Sequence, residues 1–231
     1  VAAQIHNQSE GWQPPKGFFR HAWNAEGLLG DNPLWGRFWE HPKLTPDQKQ
    51  QILKARIVLR GLLDQMGEKP SNYGLIHADF LPENVLSNGD ELRLIDFDDS
   101  GYGWHLFEMA TSLFPQINQP YFDDLVAAYV EGYRTKRALP EDQVEIFPAF
   151  LMIRGFAYIG WLMTRTESFP NADRLVEELA KGLCEFIPEL MAELNTAQRL
   201  GVEVIAFFGR LKNSLLKGEN SSSQSEPLLN T

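Results

Sequence analysis

His77, Asp79, Asn84 and Asp96 fall in one run of the chain, YGLIHADFLPENVLSNGDELRLIDFDD, with the spacing HxDxxxxN followed by DFD. Transfer of a phosphoryl group needs these side-chain types. A carboxylate takes the proton of the attacking hydroxyl, while an amide oxygen and a second carboxylate hold the magnesium that neutralises the phosphates. Asp79, Asn84 and Asp96 offer those groups in that order. Asp98 is expected to assist the metal or face the acceptor, and Asp99 to start the turn into Ser100-Gly101.

The elements around these residues must bring them together across the sequence. Tyr73 to His77 reads as a short strand, Ala78 to Glu83 as a loop holding Pro82, and Asn84 to Ser87 as a second extended stretch. Asn88-Gly89-Asp90 supplies an Asn-Gly turn, and Leu92 to Ile95 returns. A hairpin of this kind folds Asp96 back toward Asn84. The period of two in the returning strand places Leu92, Leu94 and Asp96 on one side.

The remainder reads as helical. Thr45-Pro46-Asp47-Gln48 combines an N-cap, a proline at the first helical position and a glutamine three residues after the cap. It leads into a helix over Gln51 to Met66 that Gly67 ends. Further helices are expected over Trp104 to Leu113, Pro120 to Tyr133, Glu141 to Thr164, Ala172 to Leu194 and Leu200 to Leu215. Asn220 to Thr231 has few apolar residues and no period, so a disordered tail is expected there. The fold class implied is α+β, mostly helical, built around a small β hairpin. Gly11 to Trp39, with four tryptophans and several prolines and glycines, is irregular, and either covers the acceptor cleft or packs against the lobe.

Three segments carry a resemblance: IHADFLPENVL, IDFDDSGYGWHLFEMA and, upstream, HNQSEGWQPPKGF. Through them the chain resembles the aminoglycoside phosphotransferases and their choline-kinase-like and homoserine-kinase-like relatives, from about Val1 to about Arg165. The resemblance implies the C-terminal lobe of a protein-kinase-like fold, using ATP and Mg2+, with a small-molecule acceptor. It makes Asp79 the catalytic base, Asn84 and Asp96 the nucleotide-bound magnesium's ligands, and His77 an organiser of the catalytic loop. Glu108 stands where the family commonly has an anchoring aspartate, a departure of one methylene. Kinases of this kind carry an N-terminal lobe with a phosphate-covering loop and a strand lysine, which nothing from Val1 onward supplies. The chain is therefore expected to be a fragment, residues 1–212 a C-terminal lobe and 213–231 a tail, binding nucleotide poorly without the missing lobe. The rival expectation is a non-catalytic pseudokinase or binding module.

Composition narrows the classes. A net charge of -10 and a pI near 5.0 argue against nucleic acid and anionic membrane surfaces, where phosphate contacts need clustered Lys and Arg. The single cysteine, Cys184, cannot form an internal disulfide, which fits a cytoplasmic location. Residues 146–164 approach the length of a bilayer span, yet Arg154 near the centre and Pro148 favour a helix buried in a core. Gly101-Tyr102-Gly103 lacks the third glycine of a phosphate loop, and no HExxH or Cys/His set points to a metallohydrolase.

Overall fold

A computed structural model describes residues 1–89 and 91–200, with residues 193–200 by backbone alone. The expected helix at Leu200 to Leu215, the tail, and Asp90 of the hairpin turn lie outside the described residues. The helices are α1 (Ala2–Gly11), α2 (Ala25–Leu29), α3 (Pro46–Met66), α4 (His105–Leu113), α5 (Phe122–Arg134), α6 (Glu141–Glu145), α7 (Phe147–Met163) and α8 (Ala172–Leu200). Five short strands accompany them: β1 (Ala22–Trp23), β2 (Tyr73–Ile76), β3 (Val85–Asn88), β4 (Glu91–Leu94) and β5 (Gly101–Trp104). The expected class, α+β and mostly helical around a small β hairpin, is the one observed.

Local chemistry explains several boundaries. Thr45 and Gln48 close the capping box that opens α3, the Gln48 N–H donating to Thr45 Oγ1 at 3.2 Å and the Thr45 N–H to Gln48 Oε1 at 2.9 Å. Gly67 ends that helix at a φ of 65, a conformation glycine adopts without a Cβ clash. The single helix expected from Glu141 to Thr164 is two, α6 and α7. Pro148 has no N–H to bond back into the preceding turn, so it starts a helix instead of continuing one.

α7 is buried on nearly every side, packed between α4 and α8, and carries Phe150, Ile153, Phe156 and Ile159 at 0% exposure. A helix apolar all round belongs inside a core. Among the described residues no helix is long and apolar enough to cross a membrane.

The glycine pair that makes a poor phosphate loop has a different use. β5 is the central strand of a three-stranded sheet, antiparallel to β2 and parallel to β1. A Cβ on Gly101 would stand 2.6 Å from the His21 carbonyl oxygen, and one on Gly103 would stand 3.0 Å from Trp23 Cβ. The glycines let the Ala22–Trp23 segment approach β5 closely, so part of the irregular Gly11 to Trp39 stretch is pulled into the sheet. Gly101→Ala is expected to push β1 off β5 and cost about 1–3 kcal/mol, the range for overpacking. Urea denaturation reads that loss, and an unchanged midpoint would contradict the close-approach explanation.

Candidate active site

The site begins where β2 ends. His77 and Ala78 turn the chain out of the strand, and their backbone N–H groups both donate to one carboxylate, at 2.8 Å to Glu108 Oε1 and 2.7 Å to Glu108 Oε2. Glu108 comes from α4 and is fully buried. The extra methylene relative to the family's aspartate therefore does not prevent anchoring. Ala78 sits at a φ of 65, a conformation that costs a non-glycine residue of order 1 kcal/mol or more. The two-handed grip of Glu108 holds it there.

His77 ties the turn to the segment after β4. Its ring is buried, with Nε2 at 2.9 Å from the Ile95 carbonyl and Nδ1 receiving the Asp79 N–H at 3.3 Å. Both contacts are met by the neutral tautomer carrying its proton on Nε2. Phe97 packs edge-on against the ring at 4.6 Å between centroids.

Asn84 joins the loop to the ribbon. Its Nδ2 donates to the Asp79 backbone carbonyl at 2.8 Å and to Asp79 Oδ2 at 2.9 Å. With the nitrogen committed to Asp79, Oδ1 is the end left for a cation. The Asn84 carbonyl accepts the Ile95 N–H at 3.0 Å, so the peptide units flanking Ile95 are tied on one side to Asn84 and on the other to His77. β3 and β4 pair with Val85 opposite Leu94, as the expected hairpin requires. The alternation expected to carry through to Asp96 stops at Leu94, because Asp96 takes a φ of 62 and leaves the strand. It is nonetheless the residue next after the tethered Ile95.

Asp98 and Asp99 sit in the turn that leads into Ser100, where the Ser100 N–H donates to the Phe97 carbonyl at 3.1 Å, so Asp99 takes the turn position expected of it. Asp98 is exposed, and its backbone carbonyl accepts from Arg20 Nη1 at 3.0 Å. Among the described residues no group of three His, Cys, Asp or Glu side chains is placed to hold a metal. Asp99 is half-buried, and its carbonyl is held by Trp23 Nε1 at 2.9 Å and His21 Nε2 at 3.1 Å. Burial raises its carboxyl above the usual range, and the negative charge of Asp79 raises it further. Asp99 is thus the acidic neighbour of Asp79, and the Gly11 to Trp39 stretch braces it. Trp104 and His105, at the start of α4, are buried packing residues.

Two side chains escaped the sequence reading. Arg154, in the middle of α7, lies within electrostatic reach of Asp79 and Asp99. Tyr158, one turn further on, and Trp35 flank its guanidinium at 5.7 and 5.6 Å from their ring centroids. The only sequence signal was a lone charge in an apolar helix, which argues for a partner without naming it.

The chemistry of these oxygen donors is of the kind that a hard divalent cation such as magnesium would take. Magnesium binds through one or two protein oxygens plus water and substrate phosphates rather than an all-protein cage, and Asn84 Oδ1 with the Asp96 carboxylate would supply two.

A family model described as "Phosphotransferase enzyme family" matches residues 2–143. The chain belongs to that family. It is 32% identical to a homoserine kinase of Chelativorans sp. (strain BNC1) over 151 residues, 62% of this chain and 44% of that protein. Its fold matches a microcompartment-associated aminopropanol kinase at a TM-score of 0.76 and 28% identity, covering 84% of this chain and 60% of that one. The fold is also shared with amicoumacin kinase hAmiN, solved with AMP-PNP, Ca2+ and Ami, at a TM-score of 0.63 and 21% identity over 79% of this chain and 56% of that one. The chain spans half or less of the length of the curated relatives it matches.

Burial pushes the Glu108 carboxyl up to about 7, against the pull of the His77 and Ala78 N–H groups. His6, whose Nε2 lies 3.7 Å from Glu108 Oε1, is pushed down to about 3 by its own burial, so the contact is not an ion pair at neutral pH. The folded protein keeps the Glu108 proton up to about pH 7, whereas an exposed glutamate releases it near 4.5. Folding stability therefore falls as pH rises through that window and levels off above it. Glu108→Gln cannot ionise, so the parent's stability relative to this variant is expected to be higher at about pH 4.5 than at about pH 8. Denaturant titrations at both pH values check it; a constant difference would contradict the assignment.

Proposed function

We propose that this chain is the catalytic lobe of an ATP-dependent kinase that phosphorylates a hydroxyl of a small, amine-bearing molecule, an amino alcohol or a homoserine-like acceptor. One observation carries the reading: Asn84 bonds the Asp79 backbone carbonyl and carboxylate while its own carbonyl holds Ile95, the residue before Asp96. The names of the similar proteins, homoserine kinase and aminopropanol kinase, support the same acceptor chemistry.

In the proposed reaction the acceptor oxygen forms a bond to the terminal phosphorus of ATP as the bond to the ADP oxygen breaks. The hydroxyl proton passes to the Asp79 carboxylate. Asn84 holds Asp79 Oδ2, which leaves Oδ1 as the oxygen directed to the hydroxyl. Positioning of this kind supplies much of the catalysis in phosphoryl transfer, because little covalent work falls to the protein. Mg2+, held by Asn84 and Asp96, would supply charge neutralisation at the phosphates. Asp99 gives the acceptor side a negative charge suited to an ammonium group.

Asp79→Asn in the full-length protein is expected to lower turnover by about 10²–10⁴, the usual worth of a general base, while magnesium-nucleotide binding stays close to the parent's. Asp96→Ala is expected to lose metal-dependent nucleotide binding. ADP release with a panel of amino alcohols and hydroxy amino acids, alongside nucleotide titrations, separates the two. Unaltered turnover of Asp79→Asn would remove the base assignment.

A further inference from the structure

Arg154 has the surroundings of a ligand-binding group and not those of a structural one. It is 6% exposed, and its Nε and Nη1 are buried without a hydrogen-bond partner among the described residues. A buried charged donor left unpaired is costly, and a leucine or methionine would fill the same volume in α7 without that cost. Burial lowers its pKa, and the nearby charges of Asp79, Tyr158 and Asp99 act in the opposite direction. Neither carboxylate forms an ion pair with it among the described residues. The rings of Trp35 and Tyr158 hold the guanidinium by cation–π contact, an interaction that leaves in-plane N–H groups available.

We infer that Arg154 receives an acceptor carboxylate, so that the substrate is a hydroxylated amino acid and not a plain amino alcohol. This rests on the kinase reading proposed above and narrows its acceptor. The transferred phosphoryl group is the other source of anionic oxygen near Asp79. The position of Arg154 favours the acceptor. Its guanidinium lies against Trp35, which packs edge-on against Trp23, the residue that holds the Asp99 carbonyl, whereas Asn84 and Asp96, the proposed nucleotide-side ligands, flank the β3–β4 ribbon. Together Asp99 and Arg154 present opposite charges on the Asp79 side, the pattern that an ammonium and a carboxylate on one molecule would match.

The test compares L-homoserine with the amino alcohol obtained by replacing its carboxylate with hydrogen, using full-length protein. Equilibrium binding and ADP release are both measured. Homoserine is expected to bind about 10- to 100-fold more tightly, the worth of a charge-assisted hydrogen bond. Arg154→Gln is expected to collapse the ratio of the two KM values. Equal or tighter binding of the amino alcohol by the unaltered protein overturns the proposal, and that comparison needs no variant to fold. A fall in kcat for both acceptors by the same factor, with the KM ratio preserved, would assign Arg154 to the phosphoryl group and also overturn it. Tighter homoserine binding without ADP release from either compound would sustain the carboxylate assignment while removing the kinase reading.

Discussion

The site depends on a buried carboxylate gripping two consecutive backbone amides. Glu108 accepts from His77 and Ala78 together, and this holds Ala78 in a left-handed conformation that a residue with a Cβ does not adopt freely. Once the chain is turned there, His77 faces the Ile95 carbonyl and Asp79 faces Asn84. Ala78 and Asp96 are the two positive-φ residues other than glycine among those described, and they lie at the two ends of the catalytic assembly. Strain at both points is tolerated because hydrogen bonds fix the neighbouring peptides: Glu108 at one end, Asn84 and His77 at the other.

From that fixed point the molecule divides into two chemical sides. Asn84, Asp96 and the ribbon offer oxygen ligands that are few and partly open, which suits a cation sharing its shell with water and phosphates. Asp99, Trp35 and the α7 pair Arg154 and Tyr158 form a second group drawn from three separate places in the chain. Asp79 is common to both. The sheet serves this division, since β5 carries the chain from the Asp99 turn into α4 and so links that turn to Glu108. The close fit of β1 against Gly101 brings His21 and Trp23 onto the Asp99 carbonyl.

The catalytic ribbon was legible because its chemistry admits few residue types and its turn has a local signature in Asn88-Gly89. The start of α3 was legible for a similar reason: a capping box is a contact between residues three apart. β1 and β5 were not legible, since strands of two and four residues gain their pairing from tertiary approach and carry no hydrophobic period. The break before α7 could be read from Pro148 alone. The half-buried state of Asp99 needs the fold, because the Trp23 and His21 contacts on its carbonyl come from far upstream. Arg154 was visible as a misfit in an apolar run, but its neighbours Trp35 and Asp79 are remote in sequence and only packing brings them together.

In the proposed kinase the Glu108 grip and the Ile95 tether would set Asn84 and Asp96 around one cation beside Asp79. A crystal structure of the full-length protein with Mg2+ and a non-hydrolysable ATP analogue tests it most directly. Asn84 Oδ1 and an Asp96 carboxylate oxygen are expected at about 2.0–2.1 Å from the same ion, with the Asn84 amide still on Asp79. An ion bound to the phosphates with Asp96 turned away from it, or with Asn84 released from Asp79, would contradict the account.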